Sequence, residues 1–418
     1  MFDLDKWKEI GSSLAKNKLR TALTAFGVFW GIFMLVIMIG SGRGLENGVM
    51  NGMGQFATNS VFIWGQSTSV PYQGMQRGRV VQLRNADTEA LRKIEELELL
   101  SPRIDVRGAG NNNVSRDQKS GAFSIFGDYP EWNEIDPVHM LAGRFINYAD
   151  INEKRKVAVI GQRVREVLFA PDENPLGKYI RINGIYFQVV GVFKPLSVNI
   201  NFGGDKAQSI HIPFSTTQQA FNYGDRLSWF AMTARPGVDA SVLEEKALTL
   251  LRQRQKVAPD DARAFGFFNL DKQFKQMNNL FTGISVLVWI VGTGTLLAGV
   301  IGISNIMLVV VKERTKEIGI MRAIGATPRK VTAQIISEAV LLTTVAGYTG
   351  LVLSVFLLEL VSKALPSDGG QQMFLNPGVD FNVAVAALFI LITSGALAGL
   401  IPARRAVAMK PIDALRYE

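Results

Sequence analysis

Cysteine is absent from this chain of 418 residues, and histidine occurs only twice. The lack of cysteine excludes disulfide bonds and thiol chemistry. His139 and His211 have no acidic or cysteine neighbour at metal-ligand spacing, so we expect both to be structural. The chain also lacks a P-loop, a nucleophile elbow, an H-E-x-x-H motif and a glycine-rich dinucleotide loop. We therefore predict no catalytic, cofactor or metal site on this chain, which cannot itself be a P-loop ATPase.

Four long apolar stretches of the chain contain almost no charged residues. One, Thr21–Gly42, lies near the N-terminus, and the others, about Met277–Val311, Val331–Leu358 and Phe381–Ala403, fill the C-terminal third. A membrane-spanning helix needs ~20 apolar residues, so each stretch predicts one span. Because Thr21–Gly42 is longer than the ~7–15 apolar residues of a signal peptide, we interpret it as an uncleaved signal anchor. The sequence thus predicts a membrane protein with four transmembrane helices in a 1 + 3 arrangement around a large extracytoplasmic domain.

These spans define the predicted organisation of the chain. By residue number it comprises an amphipathic cytoplasmic segment at 1–20, a first span at 21–42, an external domain at 43–276, a second span and stalk at 277–311, a cytoplasmic segment at 312–330, a third span at 331–361, an external loop at 362–380, a fourth span at 381–403 and a cytoplasmic tail at 404–418. Residues 4–18 fit either a helix lying flat on the inner membrane surface or a simple extension of the first span.

Basic residues are concentrated in three short segments, 1–20, 312–330 and 404–418. By the positive-inside rule these segments face the cytoplasm, which places both termini inside and the large domain outside. The domain itself is nearly balanced, with 29 basic and 25 acidic residues. It therefore lacks the basic surface that a nucleic-acid partner requires.

The external domain alternates strands with helices. Strands are predicted at Val61–Trp64, Trp229–Ala234 and Arg263–Leu270, and helices at Asp87–Leu99 and Ala240–Lys256. The sequence between them, about residues 121–213, is rich in strand-forming residues, and Asn183-Gly184 predicts a type I′ turn between Lys178–Ile182 and Ile185–Phe193. We predict an α+β subdomain of two β-α-β units that is interrupted by a β-rich insertion.

Four features in and beside the spans carry further expectations. Gln276–Val311 has no charge and corresponds to roughly 50 Å of helix, so we expect it to project from the ~30 Å hydrocarbon core as a stalk. The glycines between residues 44 and 56 argue against a second rigid stalk after the first span. Glu338 is interpreted as a carboxylate solvated at the membrane interface, with a proton or ion site as the alternative. Gly27-x-x-x-Gly31 predicts close helix packing, either across a dimer or within one chain.

The segment 312–330 combines many charges with apolar residues at Ile318, Met321 and Ile324, and this helical pattern breaks at Gly325. Such a short amphipathic helix can lie against the inner membrane face and offer a surface to a soluble partner. A solvated connecting loop is the alternative, and the periodicity favours the helix.

Several short motifs occur in order along nearly the whole chain. They are Asn17–Thr24 at the entry to the first span, Ala142–Phe145, Val157–Gly161, Asn174–Lys178 and Val189–Val192 in the external domain, Lys312–Ala326 in the cytoplasmic segment, and Gly399–Ala406 and Pro411–Glu418 at the C-terminus. Together with the 1 + 3 topology they resemble the MacB/FtsX permease superfamily of ABC transporters, the mechanotransmission type.

The resemblance implies a non-catalytic permease subunit of the inner (cytoplasmic) membrane with a periplasmic core domain, a porter-like subdomain that contains the β-rich insertion. Such a permease pairs with a second copy or a paralogue and binds two ABC ATPase subunits, which hold ATP and Mg. The chain departs from members fused to their ATPase, so a separate ATPase is expected. The residues expected to couple to it are Glu313, Arg314, Thr315, Lys316, Glu317, Gly319, Arg322, Gly325 and Ala326, and Gly27 and Gly31 are candidates for dimer packing.

Three functions occur in the superfamily: efflux of drugs, toxins or siderophore-like compounds with a periplasmic adaptor and an outer-membrane duct, release of lipoproteins, and signalling to cell-wall hydrolases. The full-size external domain disfavours signalling, and we favour efflux over lipoprotein release. A membrane-anchored sensor or scaffold without an ATPase is the alternative from another class.

Overall fold

The computed structural model describes residues 18–53, 56–106, 112–196, 205–364, 374–375, 377–378 and 381–408. The chain divides into two compact units, one formed by residues 1–49 and 280–418 and the other by residues 50–279. The predicted amphipathic segment before residue 18, most of the loop 362–380 and the motif Pro411–Glu418 lie outside the described residues.

Among the residues that the structure describes, four helices are long and apolar enough to cross a membrane. In chain order the helices are α1 (Lys18–Met53), α2 (Asn85–Leu91), α3 (Trp132–Ile135), α4 (Tyr148–Asn152), α5 (Gln162–Leu168), α6 (Phe214–Ala220), α7 (Ala240–Arg254), α8 (Leu270–Glu313), α9 (Thr315–Ala323), α10 (Pro328–Ala364) and α11 (Phe381–Ala408). The candidate spans lie in α1, α8, α10 and α11, which confirms the four predicted transmembrane helices. Helix α8 has 44 residues and is therefore about 66 Å long.

Helix α1 continues past the first span, contrary to the expectation drawn from its glycines. It runs through Gly44, Gly48 and Gly52 to Met53. A glycine in a helix costs only ~1 kcal/mol, which packing readily offsets. At Gly44 an added Cβ would lie 2.8 Å from the Phe374 ring, and the Gly44 carbonyl accepts a hydrogen bond of 2.8 Å from the Leu375 N–H. The lack of a side chain here lets another part of the chain approach the helix closely.

Small residues bring the membrane helices together within this chain. Gly27 and Gly31 on α1 face α8, where an added Cβ would lie 3.9 Å from Gly299 and 3.6 Å from Leu296. Gly395 on α11 faces α10 so closely that a Cβ would lie 2.2 Å from Thr343. The sequence left dimer packing and packing within one chain open for the Gly27/Gly31 face, and the structure uses that face within the chain.

The external unit contains twelve strands among the described residues. They are β1 (Ser60–Gly65), β2 (Leu97–Asp105), β3 (Asn113–Arg116), β4 (Lys119–Ala122), β5 (Ser124–Asp128), β6 (Val138–Gly143), β7 (Val157–Gly161), β8 (Tyr179–Ile182), β9 (Ile185–Pro195), β10 (Ser209–Pro213), β11 (Trp229–Ala234) and β12 (Phe265–Asn269). The order β12-β1-β11-β2, with every neighbour antiparallel, forms a four-stranded sheet from the two predicted β-α-β units.

Helix α7 shows why the second β-α-β unit forms where the sequence predicts it. The Asp239 side chain caps the helix by accepting the Ser241 N–H at 2.8 Å. Ala240, Leu243, Ala247 and Leu251 recur at helical spacing and are buried against the sheet. Local capping and one apolar stripe therefore specify this element.

The first β-α-β unit differs from its prediction. Helix α2 ends at Leu91, and Leu97, which was predicted to be helical, begins strand β2. The spacing of Leu91, Ile94 and Leu97 suits a helix, but Leu97 pairs with Ala234 of β11 and joins the core. Pairing with a distant strand overrides the local helical periodicity.

The insertion between β2 and β11 continues the sheet in the order β2-β5-β10-β7-β9-β8-β3-β4, and β6 pairs with β9. Its strands begin at Asn113, earlier than the predicted start near residue 121. The predicted hairpin is confirmed: β8 and β9 flank Asn183 and Gly184, whose φ angles of +46° and +89° suit a type I′ turn. The interrupted α+β architecture is therefore present as predicted.

A buried ionic cluster links the two parts of this unit. Arg103 near the end of β2 and Asp128 at the end of β5 form an ion pair with Nε and Oδ1 2.5 Å apart, and both side chains are at most 3% exposed. The Arg103 guanidinium also lies over the rings of Trp132 (3.8 Å) and Phe126 (4.0 Å). His211 on β10 places Nδ1 2.6 Å from the second carboxylate oxygen of Asp128. The charge of Arg103 is thus paired with groups of the protein itself.

Candidate coupling site

The predicted coupling residues lie on and around the short helix α9. Helix α8 ends at Glu313, and α9 begins after a break at Arg314. Gly325 then takes a φ of +105°, a conformation that favours glycine, and α10 begins with Pro328 at its first position. The predicted break of the helical pattern at Gly325 is confirmed.

One face of α9 packs against other helices of its own chain. Thr315, Ile318 and Gly319 are buried, and Ile318 joins the apolar cluster formed by the membrane helices. Thr315 also donates a hydrogen bond of 2.7 Å to the Lys312 carbonyl. Thr315 and Gly319 are thus covered within the chain itself, on the face by which α9 packs against those helices.

Arg314 ties the start of α9 to helix α10. Its Nη1 donates to Glu338 at 3.0 Å, and its Nε donates to Glu317 at 2.8 Å. Glu338 is only 4% exposed, so its interpretation as a carboxylate solvated at the interface is wrong. A buried carboxylate needs a charged partner, and Arg314 supplies it.

Arg322 ties the end of α9 to helix α11. Its Nη1 donates a hydrogen bond of 2.8 Å to the Val407 carbonyl, in the last turn of α11. A cation is favoured there because the free carbonyls at a helix C-terminus carry partial negative charge. Arg314 and Arg322 therefore act as two anchors that connect α9 to different helices.

The opposite face of α9 is open to solvent. Glu313, Lys316, Glu317 and Gly325 are exposed, and Ala326 is half-buried. Ile320 and Ile324 are 48% and 82% exposed. Together, Lys316, Glu317, Ile320 and Ile324 form what we term the outer face of α9.

Sequence reasoning missed Ile320 and misplaced Ile324. Ile324 was grouped with Ile318 and Met321, but only those two pack inward. The i, i+4 spacing of Ile320 and Ile324, one turn beyond Lys316, was the signal available in the sequence. The two isoleucines form a small exposed apolar patch beside charged residues, which makes this face a candidate contact surface for another protein.

The two histidines differ in their surroundings. His139 is exposed on β6, whereas His211 is buried and contacts Asp128, an acidic partner that its sequence neighbours do not reveal. Burial lowers the pKa of His211, although Asp128 acts in the opposite direction. No group of three metal-ligating side chains occurs in the part of the chain that the structure describes.

Comparison with known proteins gives matches along most of the chain. The family model described as the MacB-like periplasmic core domain matches residues 21–250, and the model described as the FtsX-like permease C-terminal region matches residues 289–411. These two matches confirm the resemblance predicted from the short motifs.

Two curated relatives are exporters by name. The pyoverdine export ATP-binding/permease protein PvdT of Pseudomonas putida is 30% identical over 405 residues, covering 96% of this chain and 58% of that protein. The macrolide export ATP-binding/permease protein MacB of Chlorobaculum tepidum is 31% identical over 409 residues, covering 97% of this chain and 60% of that protein. The chain thus spans about three fifths of the length of these relatives.

A solved structure of the periplasmic region of MacB from Actinobacillus actinomycetemcomitans aligns with a TM-score of 0.43 at 19% identity, covering 54% of this chain and 95% of that one. The family matches, the four apolar helices and the α+β domain between the first two agree with one another. The chain belongs to the family of multi-pass membrane permeases that combine a MacB-like periplasmic core domain with an FtsX-like permease domain.

Proposed function

We propose that this chain is the permease subunit of an ABC exporter in the cytoplasmic membrane, with both termini inside. In this proposal a separate ATPase hydrolyses ATP, and the permease converts the closure of that ATPase into a rearrangement of its periplasmic domain. The single observation that carries the proposal is the two-sided construction of α9. Its inner face is anchored at Arg314 and Arg322, and its outer face presents Ile320 and Ile324 to a partner.

The anchors explain how force on α9 would spread. Arg314 joins α9 to α10 through Glu338, Arg322 joins it to α11, and a single residue separates α9 from α8. A push on the outer face would thus reach three membrane helices at once. Switching such an assembly from 1:99 to 99:1 requires ~5.5 kcal/mol of differential binding, which ATP-driven closure must deliver through this surface.

The exported substrate is proposed from the relatives. The names of two of them refer to pyoverdine export and macrolide export. We propose efflux of a compound of the drug, toxin or siderophore class, by two permease copies, two ATPase subunits, a periplasmic adaptor and an outer-membrane duct. Since the Gly27/Gly31 face packs within the chain, the second copy would contact another surface.

The first test asks whether an ATPase binds the outer face. The tagged full chain is purified from membranes in mild detergent, and co-purifying proteins are identified by mass spectrometry. We expect a P-loop ATPase at one copy per permease. The double variant Ile320→Ala/Ile324→Ala should reduce its recovery about tenfold, since apolar anchors dominate such interfaces. The control Lys363→Glu, an exposed position at the end of α10, should retain it.

The second test separates docking from transmission. Arg322→Gln removes an anchor on the inner face, so the ATPase should still co-purify while its coupling to the permease is lost. Its turnover in reconstituted membranes should then no longer respond to substrate. Recovery of no P-loop ATPase under any nucleotide condition contradicts the proposal and favours an anchored sensor, and an ATPase without an adaptor favours lipoprotein release over efflux.

A further inference from the structure

One cavity in the external unit has the character of a small-molecule site. Its volume is about 490 Å³, and it opens beside the four-stranded sheet. Its floor is aromatic: Phe62 and Trp64 come from β1 and Trp229 from β11. Trp64 and Trp229 are directly opposite each other in the strand register, so their side chains lie on the same face of the sheet. Ligand pockets typically enclose 300–1,000 Å³ and combine such a floor with a few polar groups.

The walls of this cavity are held in place by hydrogen bonds. The Leu227 N–H donates to the Leu83 carbonyl at 3.0 Å, which joins the two loops on either side. The Tyr223 hydroxyl donates to the Asp105 carbonyl at 3.2 Å, and the Asp105 N–H donates to the Ser228 hydroxyl at 3.0 Å. The cavity is therefore formed before any ligand binds, which reduces the entropy cost of binding.

Close backbone approach shapes the aromatic floor. Gly266 on β12 pairs with Trp64, and an added Cβ at Gly266 would lie 2.2 Å from the indole ring. The indole ring of Trp64 therefore lies directly over Gly266. Trp64 is half-buried, and part of its surface lines the cavity. A flat ring system is the ligand shape that such a surface binds best.

A positive charge at the rim of the cavity favours a ligand with a negative charge. Arg226 lines the cavity and is exposed, and its Nε donates to the Tyr223 carbonyl at 3.1 Å. Its acidic neighbour Asp225 pairs with Arg84 at 3.3 Å, and among the described residues no ion pair is formed by Arg226. Asp105, the acidic residue in the lining, acts electrostatically on the buried Arg103. A guanidinium with unused donors is suited to a carboxylate or sulfonate.

We propose that this cavity binds a planar aromatic compound that carries a carboxylate or sulfonate. The ring system lies on Trp64 and Trp229, and the acidic group binds Arg226. This inference goes beyond the proposed function, because binding here requires no ATPase and no second copy.

The test uses naphthalene-2-carboxylate as the probe and naphthalene-2-carboxamide, its uncharged analogue, as the control compound. Each is titrated into the full chain in lipid nanodiscs by isothermal calorimetry, with empty nanodiscs as the blank. We expect the carboxylate to bind more tightly than the amide. Arg226→Gln should weaken carboxylate binding about tenfold and leave amide binding unchanged, and Arg226→Lys should restore part of it.

Two further variants make the result decisive. Trp64→Leu should weaken both compounds about tenfold, since it removes the stacking surface. Arg163→Gln, at an exposed arginine of α5, should change neither. The proposal is overturned if neither compound binds at millimolar concentration, or if Arg226→Gln and Arg163→Gln behave alike. Because no ATPase is present, these outcomes are independent of the coupling tests.

Discussion

Asp128→Asn tests whether the buried cluster around Arg103 holds the sheet and the insertion together. The substitution keeps the shape of the side chain but removes the charge that lies 2.5 Å from Arg103 Nε and 2.6 Å from His211 Nδ1. Arg103 would remain 2% exposed without the carboxylate that pairs with it directly, and a buried charge that loses its partner is strongly destabilising.

The expected size of the effect follows from the surroundings of Arg103. Removing one partner of a buried ion pair costs ~3–5 kcal/mol. Trp132 and Phe126 still face the guanidinium and retain part of its stabilisation, so we expect the lower end, ~3 kcal/mol. In a unit of this size, each kcal/mol of lost stability lowers the unfolding midpoint by about 2–4 °C. The expected loss therefore lowers the midpoint by roughly 6–12 °C.

The matched control is Asp225→Asn, which removes an exposed pair of the same chemistry. Arg84 and Asp225 are 3.3 Å apart with side chains 56% and 52% exposed, so their pair contributes roughly 0.5 kcal/mol. Both variants of the full chain are unfolded by heat in nanodiscs while tryptophan emission is followed, because Trp132 and Trp229 lie against Arg103. Equal shifts in the two variants, or a shift below about 2 °C for Asp128→Asn, would refute the reasoning.

Two further substitutions test local features of the external unit. Burial alone would raise the pKa of Asp261, but hydrogen bonds from Ser69, Val70 and Arg263 lower it from 3.8 to about 2. The ionised Asp261 carboxylate therefore stabilises the folded unit by ~2 kcal/mol above pH 4, and this contribution is lost as the pH falls toward 2. The Asp261→Asn variant should have a lower unfolding midpoint than the wild type above pH 4, and the two midpoints should approach each other between pH 4 and 2. A difference that does not change with pH contradicts this account. Gly266→Ala should displace the Trp64 ring, cost ~1–3 kcal/mol and alter tryptophan emission, whereas Gly283→Ala, where no atom lies within 4 Å of the added Cβ, should do neither. Unchanged emission in Gly266→Ala would show that the ring is not seated on this glycine.

The membrane helices could be predicted from the sequence because the residues of each span are sufficient to specify its helix. A stretch of apolar residues long enough to span lipid must pair its own backbone groups, and a helix does so without any partner. The β8–β9 hairpin was readable for a similar reason, since Asn183 and Gly184 tolerate the positive φ angles that the turn requires. Capping and one apolar stripe likewise specified α7.

Other elements depended on residues far apart in the chain. The periodicity around Leu97 favoured a helix, but pairing with β11 makes it a strand. The sequence predicted a solvated carboxylate at Glu338 because its partner, Arg314, lies 24 residues earlier in the chain. The two side chains come into contact only when α8, α9 and α10 pack together.

The residues of the candidate coupling site depend on local and long-range causes in the same way. Sequence alone determined that a short charged helix lies here and that its pattern breaks at Gly325, because composition, periodicity and a glycine are local properties. Only the tertiary structure decided which of its faces is covered, since Ile318 and Ile324 are chemically identical and differ only in what packs against them. The aromatic cavity was likewise beyond sequence reasoning, because Trp64 and Trp229 become neighbours only when β1 pairs with β11 across more than a hundred intervening residues. Local chemistry specifies an element, and long-range packing specifies its surroundings.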